Sequence, residues 1–388
     1  MTIAKGFQRP DIPRARQESR SLVEAGYDVY VLAWDRYGEF PKLENVDGAK
    51  VRSFTPVNIT NFSRFGLALG GLLFQFVIFF ATLRLVKCLK QRPIVHAHDI
   101  NTLLPSCLLR LLGLSSALVY DCRELTYAVY SEWFHPLIGG VLRVLEERCI
   151  RYADSIITVS DWIGNYLQKF NKEVKIIYNC PRLTDIPKFS VKEAREQLGL
   201  PTNAFIVSHI GTIRYGCRLD LLLQVAAQAR NNNVHFIVVG DGPLGPQFRS
   251  AAREAHCPQL TVLPRTSRER ALLHILASDL TWALYSDPSV SMNSRVGVPW
   301  KFFESLACGV PMLVEEGTLR AELVRKLNCG VILKSDEACD VSNAINSLAD
   351  DPLYHHLMSN AAKSASSEFN WEAMSEKLVH VYRQLQNA

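Results

Sequence analysis

Short runs of apolar, β-branched residues recur along this chain, each followed by a stretch with helical spacing. In the first half they are YDVYVLA (27–33), IVHAH (94–98), ALVY (117–120) and SIITV (155–159). In the second half the cycle restarts with AFIVSHI (204–210), VHFIVV (234–239), LTVL (260–263), LTWAL (280–284) and MLV (312–314). Strands that are apolar on both faces need cover on both faces, so the intervening helices must sandwich parallel sheets. The fold class is therefore α/β, with two doubly wound, Rossmann-like domains. The 388 residues exceed what one core holds, which agrees with two domains. Pro181 and Pro187 mark the join, so the domains are expected to be 1–185 and 186–370.

Helices are expected over 12–25, 103–112, 139–152 and 161–170, the last capped by Ser160. In the second domain they are expected over 219–229, 246–255, 269–276, 299–307 and 322–326, with helix again from 334 to the end. Only Thr2, Ile3 and Ala4 precede Lys5-Gly-Phe-Gln-Arg-Pro, so a first strand there is expected to be short. The ten cysteines contain no CxxC pair, which speaks against a zinc ribbon or a redox dithiol. Reduced thiols in a cytoplasmic enzyme are the expectation. Residues 1–20 are too polar and charged for a secretory leader.

The net charge of +5 lies entirely in the first half. Between Asp47 and Asp99 stand seven basic residues and no acid. Within that span, FGLALGGLLFQFVIFFATL (65–83) carries no charge and is long enough to span a bilayer. Three readings compete. The segment is a buried helix of the α/β domain, an interfacial helix with a basic flank on anionic headgroups, or a spanning helix. Gly66, Gly70 and Gly71, and the strand that follows almost at once, weigh against the last.

Two places carry chemistry in the second half. Gly211-Thr212-Ile213-Arg214-Tyr215-Gly216-Cys217-Arg218 follows a strand and precedes a helix. A glycine turn with arginines at a helix N-terminus is how a diphosphate is held; the bland alternative is a tight turn with two solvated arginines. The second is Gly297-Val298-Pro299-Trp300-Lys301-Phe302-Phe303-Glu304, running on to Gly309 and Pro311. Lys301 and Glu304 share one helix face. The lysine suits a phosphate and the glutamate a pair of ribose hydroxyls, against the alternative of a surface ion pair. His96 and His98 face one side of a strand, but no third metal ligand is evident beside them, and ordinary core and cleft residues are the expectation.

The stretch from Pro299 to Pro311 resembles the PxKxFExLAxGxP element of the family-4 retaining glycosyltransferases, which have the GT-B fold. VHAHD (95–99), YADSIITVS (152–160), VVGDGP (238–243), ASDLTWALY (277–285) and FNWEAMSEKLVHVY (369–382) are similar to that family's segments in the same order. The resemblance implies two domains facing a cleft, with the last helix, 371–388, packing back on the first. It implies a nucleotide-diphospho-sugar donor on the second domain, an acceptor on the first, and no cofactor or metal. Glu304 matches the ribose-binding glutamate of the E-x7-E element. Gly297 and Val298 match a loop whose N–H groups meet diphosphate or sugar. Arg214 or Arg218 stands for the arginine or lysine after the glycine loop, with Gly211 and Thr212 beside it. Leu263 and Arg265 would lie near the base. Lys301, Glu304, Arg214 and Arg218 are thus the expected catalytic set, and Asp99, Arg123 and Glu124 the expected substrate contacts of the first domain.

Two positions depart from the family pattern. Val296 stands where the first glutamate of E-x7-E belongs, with Asn293 or Ser294 as the polar groups left to take its place. Arg123 stands in Asp121-Cys122-Arg123-Glu124 where relatives carry a histidine; pairing with a nearby carboxylate is its bland reading. The resulting expectation is a retaining transferase acting on a lipid-linked or membrane-associated acceptor in glycan, polysaccharide or glycolipid synthesis. It would be cytoplasmic and peripheral at an anionic inner membrane face, with no nucleic acid as partner. The alternatives are a non-catalytic nucleotide-sugar-binding relative or partner subunit, and a nucleotide-sugar epimerase on the same fold.

Overall fold

The computed structural model describes residues 2–5, 13–35, 38–55, 64–89, 91–170, 172–228, 233–285 and 292–387. They form two compact units, one of residues 1–178 and 374–388 and one of residues 179–373. The chain leaves the first unit after Tyr178 and returns to it at Met374.

The first unit is built on eight strands. They are β1 (Thr2–Lys5), β2 (Val29–Trp34), β3 (Leu43–Val46), β4 (Ala49–Phe54), β5 (Ile94–His98), β6 (Ala117–Cys122), β7 (Ser155–Thr158) and β8 (Val174–Ile176). Their order is β3-β4-β2-β1-β5-β6-β7-β8. Short as it is, β1 lies inside the sheet, with Thr2 opposite both Val29 and Ile94. All pairings are parallel except β3 with β4. Strand β3 was not expected, because Leu-Glu-Asn-Val is half polar and sits at an edge. Its signal is Asp47-Gly48, whose φ angles of 50° and 87° suit a two-residue hairpin turn.

The apolar segment forms the helix Arg64–Cys88. It is long and apolar enough to cross a membrane, yet 39% of its apolar window is buried. Phe74, Ile78, Ala81 and Val86 pack on Leu32 and Trp34, with the Trp34 and Phe74 rings stacked at 5.8 Å. This inner face belongs to the core, and a spanning helix would have to strip it from the sheet.

Beneath the same sheet face, Tyr120 donates its hydroxyl proton to buried Glu146. Burial raises the Glu146 pKa to about 7. A carboxyl held up in the native state keeps its proton while the unfolded chain loses it, so stability falls from about pH 4.5 to 7. Glu146→Gln keeps an acceptor and removes the ionisation. It is expected to match wild type at pH 5 and to exceed it by up to about 3 kcal/mol at pH 8, read by chemical denaturation.

The second unit has β9 (Phe205–Ile210), β10 (Val234–Val239), β11 (Leu260–Leu263), β12 (Leu280–Trp282), β13 (Met312–Glu315) and β14 (Gly330–Leu333). Their order is β11-β10-β9-β12-β13-β14, parallel throughout. Its core gathers Val207, Phe236, Trp282 and Leu313 from the strands and Leu222 and Val225 from a covering helix. Helices Thr126–Trp133, Val191–Leu198 and Met292–Val296 went unforeseen. Val191–Leu198 is mostly polar, and only the capping box of Ser190 and Glu193 announces it. The last helix, Trp371–Asn387, starts in the second unit and belongs to the first from Met374 on. There Tyr382 sits edge-on to Tyr27, and its hydroxyl lies 2.8 Å from His96 Nδ1.

Candidate active site

In open α/β sheets a ligand binds beyond the carboxyl ends of the strands, where the strand order reverses. In the second unit that point lies between β9 and β12. Gly211 follows β9 there, at φ 145°. Its carbonyl is so close to Gly240, which follows β10, that a Cβ on Gly240 would fall 1.8 Å from the Gly211 oxygen. Gly240 N–H in turn donates to Leu263 O at 3.1 Å. Three adjacent strand ends are thereby drawn together, and expected contacts Gly211, Thr212 and Leu263 sit on them. Arg265 lies exposed just beyond Leu263.

Lys301 reaches this point from the helix Trp300–Cys308. Ser305, one turn on, shares a 2.8 Å hydrogen bond with Thr281 of β12 and so anchors the helix to the sheet. A side chain at Gly211 would meet Lys301 Cε at 3.8 Å and Nζ at 3.9 Å. The ammonium donates to His209 Nδ1 at 3.1 Å and lies 5.5 Å from the Tyr285 ring centre. Burial, assisted by Arg214 and Arg320, lowers the Lys301 pKa to about 8. Burial and Lys301 hold His209 well below the usual imidazole range, so it accepts as a neutral ring. Among the described residues no carboxylate forms an ion pair with Lys301.

The other expected residues divide. Arg214 is exposed and close enough to Lys301 to bear on its charge. Arg218, held at φ 45°, is ion-paired with Asp336 at 2.7 Å. Glu304 lies one turn beyond Lys301 on the same helix, and Arg268 meets it at 2.8 Å. Burial raises the Glu304 pKa, against the pull of Arg268. Gly297 is half-buried, and Val296 and Val298 are buried. Asn293 lies in the helix Met292–Val296. Three residues that sequence reasoning passed over shape this site. Arg320 donates to Gly297 O at 2.5 Å and pairs with Glu315, His209 seats Lys301, and Arg268 engages Glu304. Of these only His209 had a signal, its place two residues before Gly211.

In the first unit the strand order reverses between β1 and β5. Asp99, just past β5, sits at φ 54°; its carboxylate accepts from the Arg123 backbone N–H and from Arg123 Nε, each at 3.0 Å. Arg123 is thus paired with a carboxylate, as its blander reading held. Glu124 follows it, exposed. Beneath them, buried Arg14 donates to both oxygens of Asp121 at 2.9 and 3.0 Å and lies 2.9 Å from Glu18. His98 Nδ1 is 3.1 Å from Asp121, and the His96 and His98 rings stack at 4.5 Å. The sequence offered no third ligand beside the two histidines, but Glu18 and Asp121 both lie within 4.8 Å of them. Both carboxylates are already turned to the Arg14 guanidinium. Burial raises the Glu18 pKa to about 7. Burial would raise Asp121 too, but Arg14 and His98 override it and hold it below the usual carboxylate range.

Residues 14–182 match the family described as Glycosyltransferase Family 4, and residues 190–365 the family described as Glycosyl transferases group 1. The chain belongs to the family-4 glycosyltransferases. This glycosyltransferase is 23% identical, over 93% of its own length and 82% of the relative's, to a chitobiosyldiphosphodolichol beta-mannosyltransferase of Debaryomyces hansenii. It is 26% identical to a D-inositol 3-phosphate glycosyltransferase of Thermomonospora curvata, over 49% of this chain and 45% of that enzyme, so the match spans less than half of the relative. Among solved structures it resembles sucrose-phosphate synthase from Thermosynechococcus elongatus, with a TM-score of 0.80 and 19% identity over 100% of this chain and 99% of that one. It also resembles Anabaena HepE in complex with UDP-glucose, with a TM-score of 0.71 and 18% identity over 99% and 100% of the two chains. These structures establish the GT-B fold of this glycosyltransferase.

Proposed function

We propose that this glycosyltransferase moves a sugar from a nucleotide-diphospho-sugar to a lipid-linked or membrane-associated acceptor, with retention of anomeric configuration. One observation carries the donor half of the reading. Lys301 is a half-buried ammonium at a glycine turn, with Arg214 nearby and no carboxylate partner among the described residues. Such a group is unfavourable without an anion, and a diphosphate is the anion that a glycine turn at strand ends admits. The diphosphate gains charge as the bond from the sugar C1 to oxygen breaks. Lys301, Arg214 and the N–H groups of Gly297 and Val298 are the donors that would stabilise it. Glu304 would take the ribose hydroxyls, sharing its carboxylate with Arg268.

The acceptor half is supported by the apolar, basic helix of the first unit and by a relative named for a diphosphodolichol-linked substrate. Glycan, polysaccharide or glycolipid synthesis at the cytoplasmic face of a membrane is the corresponding setting. Retention rests on the family reading, and the anomeric configuration of the product, read by NMR, tests it; a product inverted relative to the donor would overturn it. Titration calorimetry with UDP, GDP, ADP and TDP tests the donor site. Glu304→Ala is expected to weaken the preferred nucleotide by roughly ten- to a hundredfold, the loss of a charge-assisted pair of hydrogen bonds. Equal affinity in the variant would remove Glu304 from the site. Nucleotide binding without transfer to any lipid-linked acceptor would favour a non-catalytic partner subunit instead.

A further inference from the structure

Three helices of the first unit carry apolar stripes that the core does not use. On Arg64–Cys88, Leu69, Leu72, Leu73, Phe76 and Phe80 are exposed, Phe76 by 60% and Phe80 by 57%. Their spacing is that of one helix face, opposite the buried Phe74, Ile78 and Ala81. On Asp99–Leu111 the exposed residues are Leu104, Leu108 and Leu111, again one face, while Leu103, Cys107 and Leu109 are buried. On Pro136–Ile150 they are Leu137, Ile138, Val141, Val144 and Leu145, with Leu137 exposed by 74%. The first helix packs on the second and the second on the third. In the strand order, β4 to β5, β5 to β6 and β6 to β7 all step the same way across the sheet. Right-handed crossovers therefore set the three helices on one side of it. A contiguous apolar surface of this width is far beyond the scattered exposed residues of an ordinary soluble domain.

The unpaired charges on these three helices and just past their ends are positive. Arg84, Lys87, Arg92, Arg148 and Arg151 are exposed and form no ion pair among the described residues. All five lie at or just past helix carboxyl ends, and the helices run alongside one another, so these cations gather at one end of the apolar face. The acids of the three helices are spent: Asp99 and Glu146 are buried, and Glu147 pairs with Arg143 and Lys169. An apolar face with a cluster of unpaired cations at one end fits an anionic lipid surface.

We infer that the outer faces of these three helices together form a monotopic docking surface for an anionic bilayer. Sequence reading singled out only the first of them. The inference extends the membrane setting proposed above but rests on the surface and not on the donor site.

Flotation of the full chain on phosphatidylcholine vesicles, with and without phosphatidylglycerol, tests it. Binding is expected to require the anionic lipid and to weaken as salt is raised from 0.1 to 1 M. The pair Leu137→Gln and Val141→Gln, on the third helix, is expected to reduce binding by about tenfold or more, as is Phe76→Gln on the first. All three positions are exposed, so an unchanged melting curve accompanies the loss. Loss from Phe76→Gln alone would overturn the shared surface. Binding indifferent to lipid charge and salt would overturn the role of the cations. No vesicle binding, with a dimer in light scattering, would assign the face to a protein partner instead. A chain that floats but binds no nucleotide keeps this inference and removes the donor-site reading; the reverse result does the opposite.

Discussion

Lys301→Ala is expected to lower turnover by about 100- to 1000-fold, the cost of removing one charge-stabilising donor from a leaving group. The fold should survive, because the side chain's one hydrogen bond among the described residues is to His209, a neutral ring that loses no charge partner. Substrate affinity should change less than rate, since charge on the diphosphate grows as the bond to the sugar breaks. The same lysine sets a pH dependence. With a pKa near 8 in the free protein, it is mostly protonated at pH 7. Binding of a nucleoside diphosphate should be level below pH 8 and should weaken by about tenfold per pH unit above it, because the anion then needs a proton taken up on binding. The sign for stability is opposite. Unfolding frees the amine to its ordinary pKa, so the unfolded chain holds more protons between pH 8 and 10.5. The ligand-free protein should therefore gain stability from this group as pH rises through that window. Calorimetry from pH 6.5 to 9.5 reads the first effect and denaturant titration the second. Wild-type kinetics in Lys301→Ala would overturn the site.

Asp121→Ala is expected to destabilise the first unit by about 3–5 kcal/mol, the penalty for leaving a buried charge without its partner. Arg14 is 1% exposed and gives two of its nitrogens to Asp121. Without that carboxylate it would face Glu18, whose proton affinity is already raised by burial. His98 would lose the carboxylate that lies 3.1 Å from its Nδ1 as well. The double variant Arg14→Met with Asp121→Leu removes both charges and should recover part of the loss, which separates ion pairing from cavity formation. Asp121 is held below its ordinary pKa, so its contribution is present at neutral pH and is lost only as pH falls through the acid range below 3.8. A melting temperature for Asp121→Ala within two degrees of wild type, in matched buffer, would show that this network does not hold the unit together.

The strands were legible because a parallel strand covered on both faces must be mostly apolar without alternation, and IVHAH, SIITV and VHFIVV each come close to that demand locally. So was the helix of Lys301, between Pro299 and a left-handed Gly309 at φ 72°. The polar elements were not, since Leu43–Val46 and Val191–Leu198 gain their stability from one neighbour or one cap. The sequence by itself determined two α/β units, the glycine turn at 211, and a lysine and a glutamate on one helix face. Tertiary structure decided which groups meet. It set Lys301 against Gly211 and His209, gave Arg268 to Glu304 and Arg218 to Asp336, and paired Arg123 with Asp99. Those partners are separated by 24 to 118 residues. Spacing along a chain fixes the face of one helix, but only packing brings distant strand ends within hydrogen-bonding reach. The outward stripes of the helices 99–111 and 136–150 follow the same logic. Each looks like a core face in isolation, and only the sheet's position decides which side is left for another surface to cover.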